Sequence, residues 1–256
     1  MLELYHALTS TCSQKVRLCL AEKNIEWVSR PVNLAAEEHL TPAYLALNPN
    51  GVVPTLVHDG RPVVDSSVIC EYLDETFPGP KLTPEDPVER AAMRAWMRFF
   101  EEVPTAAIRV PSFHQVIARR YQALDEQTFV EKIADIRPLR KNFYRRMGPH
   151  GFSQAEVAEA LDELRHTIAR MERALENSPW LIGAQFTLAD IVVTPSFDRL
   201  DDLGLASLWA GKPGVANWFT RLKSRSSFAL AYPKGSRLSE REPVRPLGKA
   251  ALAGLC

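Results

Sequence analysis

The period of the hydrophobic pattern changes once along this chain, at the proline-rich segment GPKLTPEDP (79–87), and nothing else in the sequence constrains the fold as much. Before that segment, short alternating runs are interleaved with helical stretches. After it, every apolar pattern repeats with helical spacing. Such a chain divides into a small α/β unit, 1–80, followed by an all-helical unit, 86–232. In the first unit LELYHAL alternates like a strand, and SQKVRLCLAEKN places Val16, Cys19, Leu20 and Lys23 on one helical face. WVSRPVNL reads as a second extended run, at an edge or a bulge because Pro31 lacks a ladder donor. VPTLVHDGRPVV reads as a hairpin turning at Asp59-Gly60. DSSVICEYLDETFP reads as a helix with Val68, Ile69, Tyr72 and Leu73 inward and Pro78 as its stop.

Helix starts in the second unit are marked by capping residues. Asp86-Pro87-Val88-Glu89 supplies an N-cap, a proline at the first helical position and an acid at the third. Ser153-Gln154-Ala155-Glu156 and Thr187-Leu188-Ala189-Asp190 repeat the S/T-x-x-E/D pattern, with Phe186 and Ile191 placed as a hydrophobic staple. Between them Val157, Leu161, Leu164, Ile168, Met171 and Leu175 form an unbroken helical ladder. Shorter helices are expected over 203–209 and 215–222. Two segments fit this scheme poorly: an insertion near 112–150 with eight basic and four acidic residues, and a proline-containing basic tail, 233–256. The tail is expected either to fold back over the active-site mouth or a dimer partner, or to be disordered.

With 31 basic and 31 acidic residues the chain carries no bulk positive field of the kind nucleic-acid binding needs. No apolar run approaches a membrane span, and the N-terminus has no signal-peptide character, so a cytoplasmic protein is expected. Four cysteines, Cys12, Cys19, Cys70 and Cys256, form no CxxC pair and share no metal-ligand spacing with the histidines. No metal is therefore expected. Cys19 and Cys70 read as core or surface residues, and Cys256 lies in no prenylation box.

Taken in order, STCSQKVRL after a first strand, NPNGVVPTL, VVDSSVICEYL and WLIGAQFTLADI resemble the signature of the cytosolic glutathione transferase superfamily, over roughly residues 1–230. Within it the chain is most similar to bacterial lignin β-etherase-like and fungal etherase-related members. The resemblance implies a thioredoxin-like N-terminal domain, a helical-bundle C-terminal domain, glutathione as co-substrate, a homodimer, and an apolar or aromatic electrophile as second substrate. It further implies that Pro54 is cis, leaving Val53 to pair like an edge strand with the cysteinyl unit of glutathione. Ser66, at a helix N-terminus, would hold the γ-glutamyl carboxylate, and Asp65 the γ-glutamyl ammonium; simple helix capping is the competing role. His39 corresponds to a contact for the glycyl end, although Leu40 follows where some classes carry a basic residue, and a solvated loop histidine is the alternative.

Glutathione must react as a thiolate, so the protein has to supply a hydrogen bond or a dipole to the sulfur. Three candidates crowd the start of the first helix. Ser10 matches the serine of serine-type classes, Cys12 the cysteine of other bacterial classes and of reductive dehalogenases, and Ser13 a position of etherase-like members. A helix N-terminus favours the thiolate form of a cysteine placed there, so a Cys12-dependent thiol transferase or reductase stands beside the Ser10-dependent transferase. A non-catalytic glutathione-binding scaffold on the same fold is the third reading. Tyr5 lies too early on the strand to serve. Of the apolar and aromatic residues Trp96, Met97, Phe99, Phe100, Phe113 and His114 near the electrophile, most are expected in the core. Arg119, Arg120, Arg140, Arg145 and Arg146 are expected mainly to solvate the insertion, with binding of an anionic group on a substrate as the alternative. Residues 1–80 hold five basic and ten acidic residues, so an anionic tripeptide would bind an acidic domain through local devices at Ser66, Val53 and Ser10.

Overall fold

Leu2–His6 forms strand β1, buried on alternate residues. In the computed structural model, which describes residues 1–248, it is followed by helix α1 (Thr11–Glu22) and by β2 (Val28–Pro31), parallel to β1. A 3-10 turn at Glu38–Leu40 and the short α2 (Pro42–Leu47) lead to β3 (Thr55–His58), antiparallel to β1, and β4 (Arg61–Val64). The sheet order is β2-β1-β3-β4, the mixed arrangement of a thioredoxin-like domain, and α3 (Ser66–Thr76) completes it. Pro31 ends the exposed edge strand, where a missing N–H costs no ladder bond. Asp59 and Gly60 both have positive φ, +48° and +78°, as a type I′ hairpin turn requires. Cys256 and the last residues of the tail lie outside the described residues.

α1 is buried on nearly every side, because the sheet covers one face and the helical unit the other. That unit begins with α4 (Pro87–Glu102), capped by Asp86, whose carboxylate accepts from the Val88 and Glu89 amides at 2.9 Å each. The segment after α4, which includes the insertion near 112–150, is built from short pieces: α5 (Pro104–Ala107), α6 (Arg109–Gln115), a 3-10 turn at Ile117–Tyr121, α7 (Glu126–Phe129), a π turn at Val130–Ala134 and α8 (Lys141–Met147). The long α9 (Gln154–Leu175) buries its whole apolar ladder and carries a reciprocal Ser153/Glu156 capping box. α10 (Leu188–Asp202), α11 (Pro213–Lys223) and α12 (Ser226–Ala231) follow, with a 3-10 turn at Ala206–Trp209 between the first two.

Three particulars correct the sequence reading, and another, the docked tail, falls on one of the two alternatives left open for it. Val68 is 53% exposed, because the buried face of α3 runs through Ser66, Ile69, Cys70 and Leu73 and Val68 lies on nearly the opposite side of the helix. The short helices α2 and α12 lie where no apolar period announces them. The tail as far as the described residues run is docked, with Gln14 donating to the Ser236 carbonyl (2.9 Å) and Arg237 pairing with buried Asp198 (2.6 Å). Four of the five insertion arginines named above are engaged: Arg119 donates to the Pro243 carbonyl, Arg120 pairs with Glu242, Arg145 with Asp135 and Arg146 with Glu156. They fasten the insertion and the tail to their neighbours where solvation was expected.

The two units share a buried polar seam. Lys15, 1% exposed on α1, pairs with Glu101 of α4, and Glu101 also accepts from the Ser67 hydroxyl of α3 at 2.6 Å. Burial alone would raise the Glu101 carboxyl; Lys15 and the two hydrogen bonds reverse that and hold it below the usual range. At the start of α10, buried Asp190 accepts from the Thr187 and Leu181 amides (3.0 and 3.2 Å) and from the Trp218 indole (2.9 Å). Asp190→Ala leaves those three donors buried without an acceptor, so a loss of about 3 kcal/mol is expected. Denaturant unfolding followed by tryptophan fluorescence measures it; a loss below about 1 kcal/mol would contradict this role for the capping box.

Candidate active site

The loop between β1 and α1 is held from beneath. Arg17, on α1, donates to the Ala7 and Leu8 carbonyls (3.3 and 2.9 Å) and Arg199, on α10, to the Thr9 carbonyl (2.5 Å). Both guanidiniums are more than nine-tenths buried. Burial pushes Arg17 down to about 10, with Tyr232 acting in the opposite sense, so it remains a cation at neutral pH. Arg17 Nη1 also donates to Nδ1 of buried His6, 3.3 Å away, and His6 Nε2 lies 2.9 Å from the Ser29 hydroxyl. That pair of contacts suits a neutral imidazole, in keeping with a His6 pKa lowered to about 4 by burial and then by Arg17. Arg17 falls within the STCSQKVRL motif, but neither its contacts nor those of Arg199 are announced by any sequence pattern.

So held, the loop delivers Ser10 as the N-cap of α1. Its hydroxyl oxygen accepts from the Ser13 amide (3.2 Å), which leaves its own proton available to donate outward. Cys12 follows in the first turn, half-buried, with a free thiol. Ser13 is fully buried and its oxygen accepts from the Ala7 amide (3.3 Å). It locks the end of β1 to α1 and does not reach the open side. Tyr5 packs edge-on to Tyr44, 6.3 Å between centroids, in a small cluster away from Ser10.

Facing Ser10 and Cys12 across a cleft of about 170 Å³, partly open to solvent, are His39, Val52 and Val53. The Val53-Pro54 peptide is cis. Tyr44 and Asn48 both donate to the Val52 carbonyl (2.8 and 3.0 Å), which anchors the loop. The amide and carbonyl of Val53 make no hydrogen bond with another described residue and stand at the cleft as an unpaired edge. Pro54 is buried behind them. His39 is buried, its Nδ1 has no partner among the described residues, and burial followed by Arg137 lowers its pKa to about 4.

Asp65 and Ser66 lie outside this cleft wall. Asp65 has φ +73°, a strained backbone for a non-glycine residue, and its Oδ1 caps α3 by accepting from the Ser67 and Val68 amides (2.9 and 3.2 Å). The Ser66 amide is the one at the helix tip that this carboxylate does not take.

The helical unit closes the other side with Ile108, Arg109, Phe113, Arg140, Phe143 and Tyr144. Arg137 joins them, bonded to Glu37 at 2.7 Å and lying 4.1 Å over the Tyr144 ring. A side chain at Gly51 would meet Pro138, which puts the insertion directly against the NPNG loop. The sequence reading missed this approach, because the segment has no period to follow. Among the described residues no group of His, Cys, Asp or Glu could hold a metal ion, and no helix is long and apolar enough to cross a membrane.

A thioredoxin-like domain with an unpaired edge at a cis-proline thus faces a hydroxyl and a thiol at a helix N-terminus, beneath a helical domain. Family models for the glutathione S-transferase N-terminal and C-terminal domains match residues 9–76 and 136–226. Protein LigF of Sphingobium sp. strain SYK-6 is 29% identical over 92% of this chain and 95% of its own length. The crystal structure of that protein, titled as a beta-etherase, superposes with a TM-score of 0.81 over 90% of this chain and 98% of its own. Tetrachloro-p-hydroquinone reductive dehalogenase of Sphingobium chlorophenolicum is 29% identical over 89% of this chain and 94% of its own length. Glutathione S-transferase F13 of Arabidopsis thaliana is 30% identical over 91% and 95%. The chain belongs to the glutathione S-transferase family.

The two buried histidines set a pH dependence of stability. Their folded pKa values, about 4, lie below the unfolded value near 6.5. Their contribution is therefore complete above about pH 6.5 and is lost as pH falls through 6.5 toward 4, on the order of 2 kcal/mol each by pH 5. Denaturant unfolding at pH 7 and pH 5 should show that fall, and a His6→Gln/His39→Gln double variant should show much less of it. An equal slope in the variant would contradict the assignment.

Proposed function

We propose that this member of the family binds glutathione along the Val53 edge, stabilises its thiolate by a hydrogen bond from Ser10, and lets it attack an apolar or aromatic electrophile held under the helical domain. The observation that carries the reading is the open Val53 backbone at the cis-Pro54 bond, facing the N-terminus of α1 across the cleft. An extended peptide adds to such an edge by main-chain hydrogen bonds. With the cysteinyl unit there, its sulfur would lie near Ser10, whose proton is not used within the protein. His39 would face the glycyl end, and Ser66, with Asp65 beside it, the γ-glutamyl end. The names of two relatives favour cleavage of an aryl ether or a carbon–halogen bond as well as simple conjugation. A cytoplasmic location suits an enzyme that consumes glutathione and keeps Cys12, Cys19 and Cys70 as thiols. A homodimer would cover the exposed Val68 on α3 and Val88 on α4.

Cys12 supports a second reading, because it also lines the cleft and is partly accessible. As a thiol transferase the protein would form a Cys12–glutathione mixed disulfide, the attacked glutathione disulfide releasing one glutathione thiolate. Two measurements separate the readings. In the first, Ser10→Ala should lower kcat/KM for conjugation of 1-chloro-2,4-dinitrobenzene about 10²-fold, while Cys12→Ser retains most of it. In the second, intact mass after treatment with glutathione disulfide should show no stable Cys12 adduct; an adduct with conjugation unaffected in Ser10→Ala would favour the thiol transferase. Absence of glutathione binding at millimolar concentration by isothermal titration would leave only the scaffold.

A further inference from the structure

Four arginines line the cleft, and two of them are committed elsewhere. Arg137 pairs with Glu37, and Arg199 holds the Thr9 carbonyl with Asp202 behind it. The guanidiniums of Arg109, the first residue of α6, and Arg140, the residue before α8, form no ion pair or hydrogen bond with another described residue. The nearby carboxylate, Glu101, is already shared by Lys15 and Ser67. Both guanidiniums are half-buried on the Cys12 side of the cleft. Burial and then the repulsion of Arg109 push Arg140 below its ordinary value, with Cys12 acting against them. Two like charges in a partly desolvated cleft are costly without an anion between them.

The surroundings indicate what carries that anion. Phe113 meets Phe143 and Tyr144 edge-on, with centroids 4.9 and 5.7 Å apart, and all three rings line the same wall. The devices proposed above for glutathione's own carboxylates, His39 and Ser66, belong to the other domain. Resting on the glutathione reading, we propose that Arg109 and Arg140 form a subsite for an anionic substituent on an aromatic electrophile, a carboxylate or a phenolate, whose ring packs against Phe113 and Phe143. Planar guanidiniums suit an oxyanion at the ring edge. Arg140 also brings positive charge close to the sulfur at which the reaction starts. In the step itself the glutathione thiol gives its proton to water. The sulfur then forms a bond to the ring carbon that carries the leaving group. The bond from that carbon to halide or aryloxide breaks, and the leaving group departs with the electron pair.

A matched pair of aryl chlorides tests the subsite on the full chain: 4-chloro-3,5-dinitrobenzoate, which is anionic, and 1-chloro-2,4-dinitrobenzene, which is neutral. Each kcat/KM is divided by the uncatalysed rate constant. The wild-type ratio of benzoate to neutral substrate should exceed one, and Arg109→Gln and Arg140→Gln should each lower that ratio about tenfold or more, with partial recovery in the lysine variants. Isothermal titration of the two glutathione conjugates makes the same comparison without turnover. A ratio unchanged in both variants overturns the proposal. Equal losses for both substrates with a raised KM for glutathione also overturn it, because the arginines would then serve the tripeptide. Glutathione binding measured alone separates either result from a failure of the transferase reading, in which neither glutathione nor its conjugates bind.

Discussion

Two buried guanidiniums hold three consecutive carbonyls, and the site depends on that grip. Arg17 binds Ala7 and Leu8 while Arg199 binds Thr9, so the loop that aims Ser10 is fixed by one residue of its own domain and one of the helical domain. Each side of the arrangement needs the other. Inward-facing carbonyls without donors are costly to bury, and a buried guanidinium without acceptors is costlier. The helical domain therefore does more than wall the cleft, since it supplies one of the donors that fix the loop leading into α1. The buried Lys15–Glu101–Ser67 seam repeats the principle one layer away and ties α1 and α3 to α4.

Much of the fold was legible because its signals are local. The caps at Asp86, Ser153 and Thr187, the Asp59-Gly60 turn and the ladder from Val157 to Leu175 each depend on residues within a few turns of one another. Val68 was misjudged because apolarity was taken for direction, and the face of α3 is set by what packs on it. The site was legible in its N-terminal half, where ordered motifs place Ser10, Cys12, His39 and Val53 on one cleft. Ser13 adjoins Ser10 and Cys12 in sequence yet faces the core, a distinction that only helix geometry makes. Arg140 was legible as one of the insertion arginines that could meet an anionic group and Arg17 as part of STCSQKVRL, but the contacts of Arg17 and the places of Arg199 and Arg109 were not, because the surroundings come from segments far apart in the chain.

Charge balance acquires a different meaning once the chain is folded. The acidic N-terminal domain was expected to bind an anionic tripeptide by local devices alone. The insertion, where much of the positive surplus lies, reaches over that domain and sets Arg137 and Arg140 in the cleft. The zero net charge of the sequence thus conceals a positive wall facing the helix N-terminus at Ser10. The described part of the tail reinforces it from behind, with Leu238 on the cleft and Arg237 held by Asp198.

All of these elements converge on the sulfur of a bound glutathione, which the N-terminus of α1, the Ser10 hydroxyl and the nearby guanidinium of Arg140 should hold as a thiolate. A pH titration of the ultraviolet thiolate absorbance of the saturated binary complex, against free glutathione, measures that directly. The expected result is an apparent pKa at least one unit below that of a free cysteine thiol, about 8.5. An apparent pKa equal to that of free glutathione, in a protein saturated with it, would contradict the claim that this cleft activates the thiol.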